Sequence, residues 1–348
     1  MRIAIVGGGL AGALLALRLS QLHRPLKLEL FTGGDPGRGD AGQRDASAAS
    51  GGMVRAFERD PGAAALAAES LAELRGSRRL REWSRFRESG AVYVTEPRTE
   101  VTRSLAVVEE VLPGSAERVG ADRLARDHRL GGLPPGVTGI VEHSAGYISP
   151  DALRTAALGR LADSGVQIHP DRVTGVTGDP AVRLRDGVRH YEAVVVAAGA
   201  WTPCLLCDSG LPSDRLRVRQ IQYTLCRGPL DGVRAFVEEN SGLYGRPHGP
   251  GRFLLGLPSD RWDLAPDAVE PDRALADEVV ALAGRIFGVA FAAERTVASF
   301  DCYRDPPGLE LRPVEGGGGG LFTFTGGSGG AAKAVFAASR RAARSLLG

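Results

Sequence analysis

RIAIVGGGLAGALLAL, residues 2–17, decides how the rest of the chain is read. A short apolar run ends in three consecutive glycines, and from Leu10 to about Leu22 the apolar residues recur at helical spacing. LKLELF (26–31) then reads as a second strand, so the opening is a strand–helix–strand unit. Gly7, Gly9 and Gly12 form GxGxxG between strand and helix, the setting a dinucleotide fingerprint requires. The first glycine permits the tight turn, the second lets a pyrophosphate approach the backbone, and the third lets helix and strand pack closely. The helix start adds N–H groups and partial positive charge. An acid should end the second strand and bind a ribose hydroxyl. Here Thr32 falls near that position, with Glu29 earlier, so Thr32 is the candidate contact.

The surrounding chain narrows the classes. Its 348 residues suit two lobes, or one large α/β unit with an insertion. With 43 basic and 41 acidic residues the net charge is +2, which calls for neither nucleic acid nor an anionic membrane. The glycines within the first apolar run argue against a secretory leader, and no other stretch is apolar enough to span a bilayer. A cytoplasmic protein, monomer or homodimer, is expected. Four cysteines make no disulfide framework in a chain this long, and the Cys204–Cys207 pair lacks the second pair a structural zinc needs. Only two lysines occur, Lys27 and Lys333; the second stands just behind the glycines of TGGSGGAAKAVF (325–336).

A loop rich in glycine, aspartate and serine (33–52) follows the opening, then helical stretches broken at Pro61 and Gly76. At Ser149, a helix cap before Pro150, the chain resumes an α/β pattern that leads to the buried strand of YEAVVVAAGAW, which stops at Gly199. RVRQIQYTLC (217–226) alternates like a strand with one wet face, and 272–288 reads as an amphipathic helix. A strand over 295–303, a glycine turn, the strand LFTFT and a last helix from about Gly330 close the chain.

Five segments in order, GGGLAG, ASAASGGMVRAF (46–57), SAGYISPDALRTAAL (144–158), VVVAAGAW (194–201) and TGGSGGAAKAV (325–335), resemble the D-amino-acid oxidase superfamily of FAD-dependent amine oxidases. The resemblance covers essentially the whole chain and is closest to the monomeric sarcosine oxidase and pipecolate oxidase branch. It implies an α/β, two-lobed fold: a discontinuous Rossmann-type FAD domain (1–75, 141–215 and 295–348) and an antiparallel-sheet substrate domain (76–140 and 216–294). It implies FAD as cofactor, contacted by Gly7, Gly9, Gly12, Thr32, Ser47, Gly199, Gly326, Ser328 and Gly329. Arg55 and Lys333 would hold a substrate carboxylate, with Tyr244 and Tyr303 as further catalytic candidates. A guanidinium grips a carboxylate with two parallel bonds while an ammonium acts as a compact charge, so the two cations are not interchangeable. The activity implied is oxidation of the C–N bond of an amino acid or cyclic imino acid to an imine, in biosynthetic metabolism, on a free or carrier-tethered substrate.

Two departures stand out. The branch attaches its flavin through a cysteine in a pattern like C-x-Y-T-x-T-P-D. In SFDCYRDPP, Cys302 is the available cysteine, yet Tyr303 follows it directly. Covalent FAD through Cys302 is the expectation. The branch's YGFP…GLKxG segment carries a lysine that assists reaction with oxygen; YGRPHGPGRFLLG (244–256) puts Leu254 there. Either Arg252, Arg246 or His248 substitutes, or electrons leave to another acceptor. A flavin monooxygenase using NAD(P)H, a non-catalytic flavin-binding subunit and a nicotinamide dehydrogenase are the rival readings.

Overall fold

The computed structural model describes residues 1–22, 25–34, 45–266 and 269–348; His23 and residues 35–44 of the expected 33–52 loop lie outside them. Two sheets carry the architecture. In the first, Arg2–Val6 lies parallel between Lys27–Phe31 and Ala193–Val196, with Gln167–His169 beyond one and Leu321–Thr325 beyond the other. Glu310–Pro313 closes that edge antiparallel. Strands buried on both faces read as unbroken apolar runs, which is why IAIV and AVVV occur. Their alternate residues feed two cores. Ile3 and Ile5 pack with Leu14, Leu153 and Phe336 of the helices Leu10–Ser20, Pro150–Asp163 and Ala331–Leu346. Ala4, Val6, Val194 and Val196 pack instead with Val176 and Val182 of a small three-stranded sheet.

Local chemistry sets the helix ends. Ser149 Oγ accepts from Ala152 N at 3.2 Å ahead of Pro150, and Asp272 caps Arg273–Phe287, which Gly288 ends in the left-handed region. Pro61 corrects the sequence reading. It opens the helix Pro61–Gly76 behind an Asp60 cap, because proline at a first turn sacrifices no internal hydrogen bond.

The second sheet has eight strands in the order Ala292–Arg304, Leu216–Arg227, Arg252–Gly256, Tyr244–Gly249, Ala235–Glu238, Ala91–Thr95, Thr138–Glu142, Ala116–Gly120. All neighbours are antiparallel except Ala235–Glu238 with Ala91–Thr95. The strand placed from 295 in the cofactor domain belongs here: Ala292–Arg304 pairs along the full length of Leu216–Arg227. Only pairing could show this, since the same alternation serves either sheet. Helix Arg273–Phe287 covers one face of the sheet through Val279, Ala283, Ile286 and Phe287, against Phe236, Phe253 and Leu255. The opposite face turns towards the first sheet. Among the described residues no helix is long and apolar enough to cross a membrane.

Candidate active site

A single cavity of about 1320 Å³ runs between the two sheets, lined at one end by Gly7–Ala11, Thr32 and Ala46–Gly52, and at the other by Tyr244, Tyr303, Arg55 and Lys333. It exceeds the roughly 300–1,000 Å³ usual for a single small molecule. The cradle at its first end is built from missing side chains. Gly7 has φ +123°, and a Cβ there would lie 2.3 Å from Ala197 O; one on Gly12 would lie 2.0 Å from Gly7 O. At Gly9 a Cβ would meet nothing nearer than Ser47 Oγ at 3.5 Å, so the freedom there serves whatever enters the cavity. The helix Leu10–Ser20 points its start into this space with no side-chain cap on its Gly9, and Ser47 Oγ accepts from Leu10 N at 2.9 Å. Ser47 is held in turn by Asp45, which caps Ala46–Ala49 and pairs with the buried Arg154. An elongated ligand with a pyrophosphate at its centre fits this cavity.

Thr32 lines the cavity and donates its hydroxyl to Gly34 O at 2.7 Å. Glu29 does not line it. Burial raises the Glu29 carboxyl, but the Tyr191 hydroxyl (2.9 Å) and Arg2 (3.0 Å) outweigh that and hold it below the usual range. Gly199 also lines the cavity, in the left-handed region at φ +53°.

At the far end the glycine turn is tied to the strand Ala292–Arg304. Ser328 N donates to Cys302 O at 3.2 Å, Arg304 N to Ser328 Oγ at 3.2 Å, and Gly329 N to Asp301 Oδ2 at 2.9 Å. Gly326 and Gly329 adopt positive φ, as does Ser328 at 49°. The Ser328 hydroxyl donates within the turn to Gly326 O, so Ser328 shapes the turn and has no proton to offer a ligand.

Strand alternation decides the cysteine. Asp301 and Tyr303 line the cavity, whereas Cys302 is fully buried with Leu216, Leu205 and Leu321 in the core behind it. Burial pushes its thiol up to about 11, away from the thiolate a nucleophile needs. Cys302 is thus not presented to the cavity, and we expect FAD to be held without a covalent bond to it. Counting back from Tyr303 in C-x-Y, the residue at the cysteine's place is Asp301, whose carboxyl burial pushes up to about 6. FAD should separate from the wild-type chain on denaturation and pass an ultrafilter; colour retained by the unfolded chain would overturn this placement.

Arg55 and Lys333 arrive from opposite ends of the sequence and meet. Lys333 Nζ lies 2.5 Å from Glu58 Oε1, and Arg55 Nη2 lies 3.1 Å from the same atom. Both cations line the cavity; Glu58 does not. The Arg55 guanidinium stacks on Tyr93, 4.7 Å from the ring centroid, and donates to Phe57 O. Burial raises the Glu58 carboxyl, but Arg55 and Lys333 together bring it below the ordinary range. Burial likewise pulls Lys333 down, against the opposing pull of Glu58. Behind them Glu142 accepts from Ala56 N (2.6 Å) and Phe57 N (3.0 Å), and burial pushes its carboxyl up towards the neutral form. Two cavity-lining cations thus share the carboxylate of Glu58, which does not itself line the cavity. Glu58, Glu142 and Asp301 escaped the sequence reading; the i+3 spacing from Arg55 to Glu58 was the one visible trace.

Tyr244 donates to Gln222 O at 2.9 Å, and burial raises its phenol further. Burial also pushes Tyr303 up to about 12, and its ring meets Trp262 edge-on at 5.2 Å. Neither is a base near neutral pH. Leu254 lines the cavity directly across from Arg246, which lines it too. Arg252 and His248 line a separate groove with Arg227 and Phe291. Cys204 lines the cavity, and both it and Cys207 are free thiols.

The comparisons agree with this geometry. The family described as FAD dependent oxidoreductase (DAO) matches residues 2–345. Monomeric sarcosine oxidase of Streptomyces avermitilis is 30% identical over 131 residues, a stretch that is 34% of this chain and 31% of that protein. Among solved structures, L-proline dehydrogenase from P. horikoshii superposes with a TM-score of 0.80 at 15% identity, covering 99% of this chain and 92% of that one. Glycine oxidase from Bacillus cereus gives 0.72 at 18% identity, with 99% and 94% covered. NikD, described as an unusual amino acid oxidase essential for nikkomycin biosynthesis, gives 0.75 at 18%, with 99% and 93% covered.

Proposed function

The chain belongs to the FAD-dependent oxidoreductase family DAO, and from that premise we propose that it oxidises the C–N bond of a free amino acid or cyclic imino acid to the imine. The observation that carries the reading is the convergence of Arg55 and Lys333 on the cavity wall, where both reach the carboxylate of Glu58. A substrate carboxylate gives the two cations a further anionic partner and raises the Lys333 ammonium towards its usual range. Gly7, Gly9, Thr32, Ser47 and Gly199 would hold the FAD along the first end of the cavity, with Gly12 letting the helix pack close behind them, and the turn Gly326–Gly329 would border its other end. Bound there, FAD supplies the two-electron oxidation.

The chain's own part is positioning. Arg55, fixed by Tyr93 and Phe57 O, gives the carboxylate a rigid planar partner, and Lys333 a flexible one. Fixing the carboxylate orients the amine-bearing carbon, and a single bound geometry replaces a diffusional encounter. Tyr244 and Tyr303 keep their protons and shape the pocket, so the amine enters deprotonated without a side-chain base. A substrate tethered to a carrier as a thioester has no free carboxylate for the pair; the site favours free acids. A biosynthetic role accords with an arginine-rich composition of the kind found with GC-rich genomes, in which this family serves specialised metabolism.

The test is an anaerobic titration of the FAD-loaded protein with pools of L-, D-, N-methyl and cyclic amino acids. Loss of the visible flavin band with one pool is the expected result, and the rate of its return in air separates oxidase from dehydrogenase. A band that no pool bleaches but NADPH does would replace this reading with a monooxygenase.

A further inference from the structure

Of Arg246, Arg252 and His248, the three cations offered in place of the missing lysine, Arg246 is the one that lines the cavity. It sits on the cavity side of strand Tyr244–Gly249 and is only 9% exposed. Its Nε donates to Gly51 O and its Nη1 to Pro247 O at 2.8 Å, and Cζ stacks 4.4 Å from the centroid of the Tyr147 ring. These partners fix the guanidinium but neutralise none of its charge. Among the described residues no carboxylate comes within ion-pair distance of it. The comparably buried Arg55 and Arg154 each have an acid partner. Burial works against the charged form of Arg246. A buried, fixed, uncompensated guanidinium facing a cavity is costly by itself and favourable once an anion arrives. Across the strand pair stands Leu254, so the positive charge on this part of the cavity wall comes from Arg246.

We propose that Arg246 is a second anion receptor of the cavity, separate from Arg55 and Lys333, which takes negative charge carried by the cavity's occupants. Two sources share that chemistry: an acidic group on the far end of the substrate, and negative charge on the bound cofactor. The inference rests on the reading that the cavity holds FAD and a carboxylate substrate.

Arg246→Met removes the charge with little loss of bulk, and Arg246→Lys retains charge without the planar fork. Propionate and succinate are titrated against the visible spectrum of each FAD-loaded protein, and the midpoint potential of the bound FAD is measured. If the substrate brings the anion, wild type binds succinate at least tenfold tighter than propionate. Arg246→Met then loses that preference, and Arg246→Lys keeps part of it. If the cofactor brings it, carboxylate affinities stay as in wild type. The potential of Arg246→Met then falls by about 30 mV or more, a tenfold shift for a two-electron couple. An Arg246→Met protein with wild-type selectivity and wild-type potential overturns the proposal. Should no carboxylate bind even wild type, the amino-acid reading falls, while the potential still decides the fate of Arg246.

Discussion

Lys333→Met should raise KM for amino-acid substrates by roughly 30- to 700-fold, the equivalent of about 2–4 kcal/mol at a desolvated charge pair. With the ammonium gone, Glu58 is left to Arg55 alone and this part of the cavity wall loses one cation. Arg55 would then have to release Glu58, leaving a buried carboxylate uncompensated, before it could grip an incoming one. Selectivity is the diagnostic. An amine without a carboxylate should be oxidised equally slowly by wild type and variant, because Lys333 offers it nothing. Glu58→Gln should move KM the other way, by a few-fold, since it removes the competing carboxylate and keeps the side chain's shape. A Lys333→Met enzyme with reduced kcat and unchanged KM would remove Lys333 from carboxylate recognition and leave it a packing role.

Gly9→Ala should weaken FAD binding at least 100-fold and leave the melting temperature of the FAD-free protein within a degree or two of wild type. The two readouts separate because of where the new methyl group would go. Gly9 has φ −68° and ψ 179°, a conformation open to any residue, and its Cβ meets no protein atom closer than 3.5 Å. Nothing in the folded chain resists the substitution, so its cost falls on the ligand that must approach the backbone there. Gly12→Ala is the contrast. Its Cβ would lie 2.0 Å from Gly7 O, and a side chain on Gly7 would in turn meet Ala197 O at 2.3 Å, so the strand–helix junction has little room to yield. That variant should lose about 3 kcal/mol or more of stability through overpacking, together with FAD binding. Equal melting losses in both variants would mean that Gly9 serves the fold alone. Unaltered FAD affinity in Gly9→Ala would place the pyrophosphate elsewhere.

What the residues determined by themselves was local and periodic. A strand, three glycines and a helix start are close neighbours in sequence, so their geometry follows from φ/ψ sterics and side-chain size without reference to the rest of the chain. The cap at Ser149 was legible for the same reason, and so was the alternation of RVRQIQYTLC. The cavity-lining residues that could be named from the sequence were those in short motifs, among them Gly7, Gly9, Ser47, Gly199, Gly329, Arg55 and Lys333.

Tertiary structure decided which partners those residues meet. Arg55 and Lys333 lie 278 positions apart, and that they share Glu58, with Glu142 behind, depends on how two distant segments dock. The strand Ala292–Arg304 has an ambiguous pattern, and only its pairing with Leu216–Arg227 assigns it to the second sheet. Because side chains alternate across a strand, that pairing also fixed a one-residue difference: Asp301 faces the cavity and Cys302 the core. Alternation alone would place His248 on the face of Arg246 and Arg252 on that of Leu254; the register shift between Pro247 and Gly249 and their place at the hairpin end put both in another groove. Sequence spacing carries which residues share a face of one element. Which face looks onto the cavity, and which charge ends up without a partner, is settled only when the sheets pack.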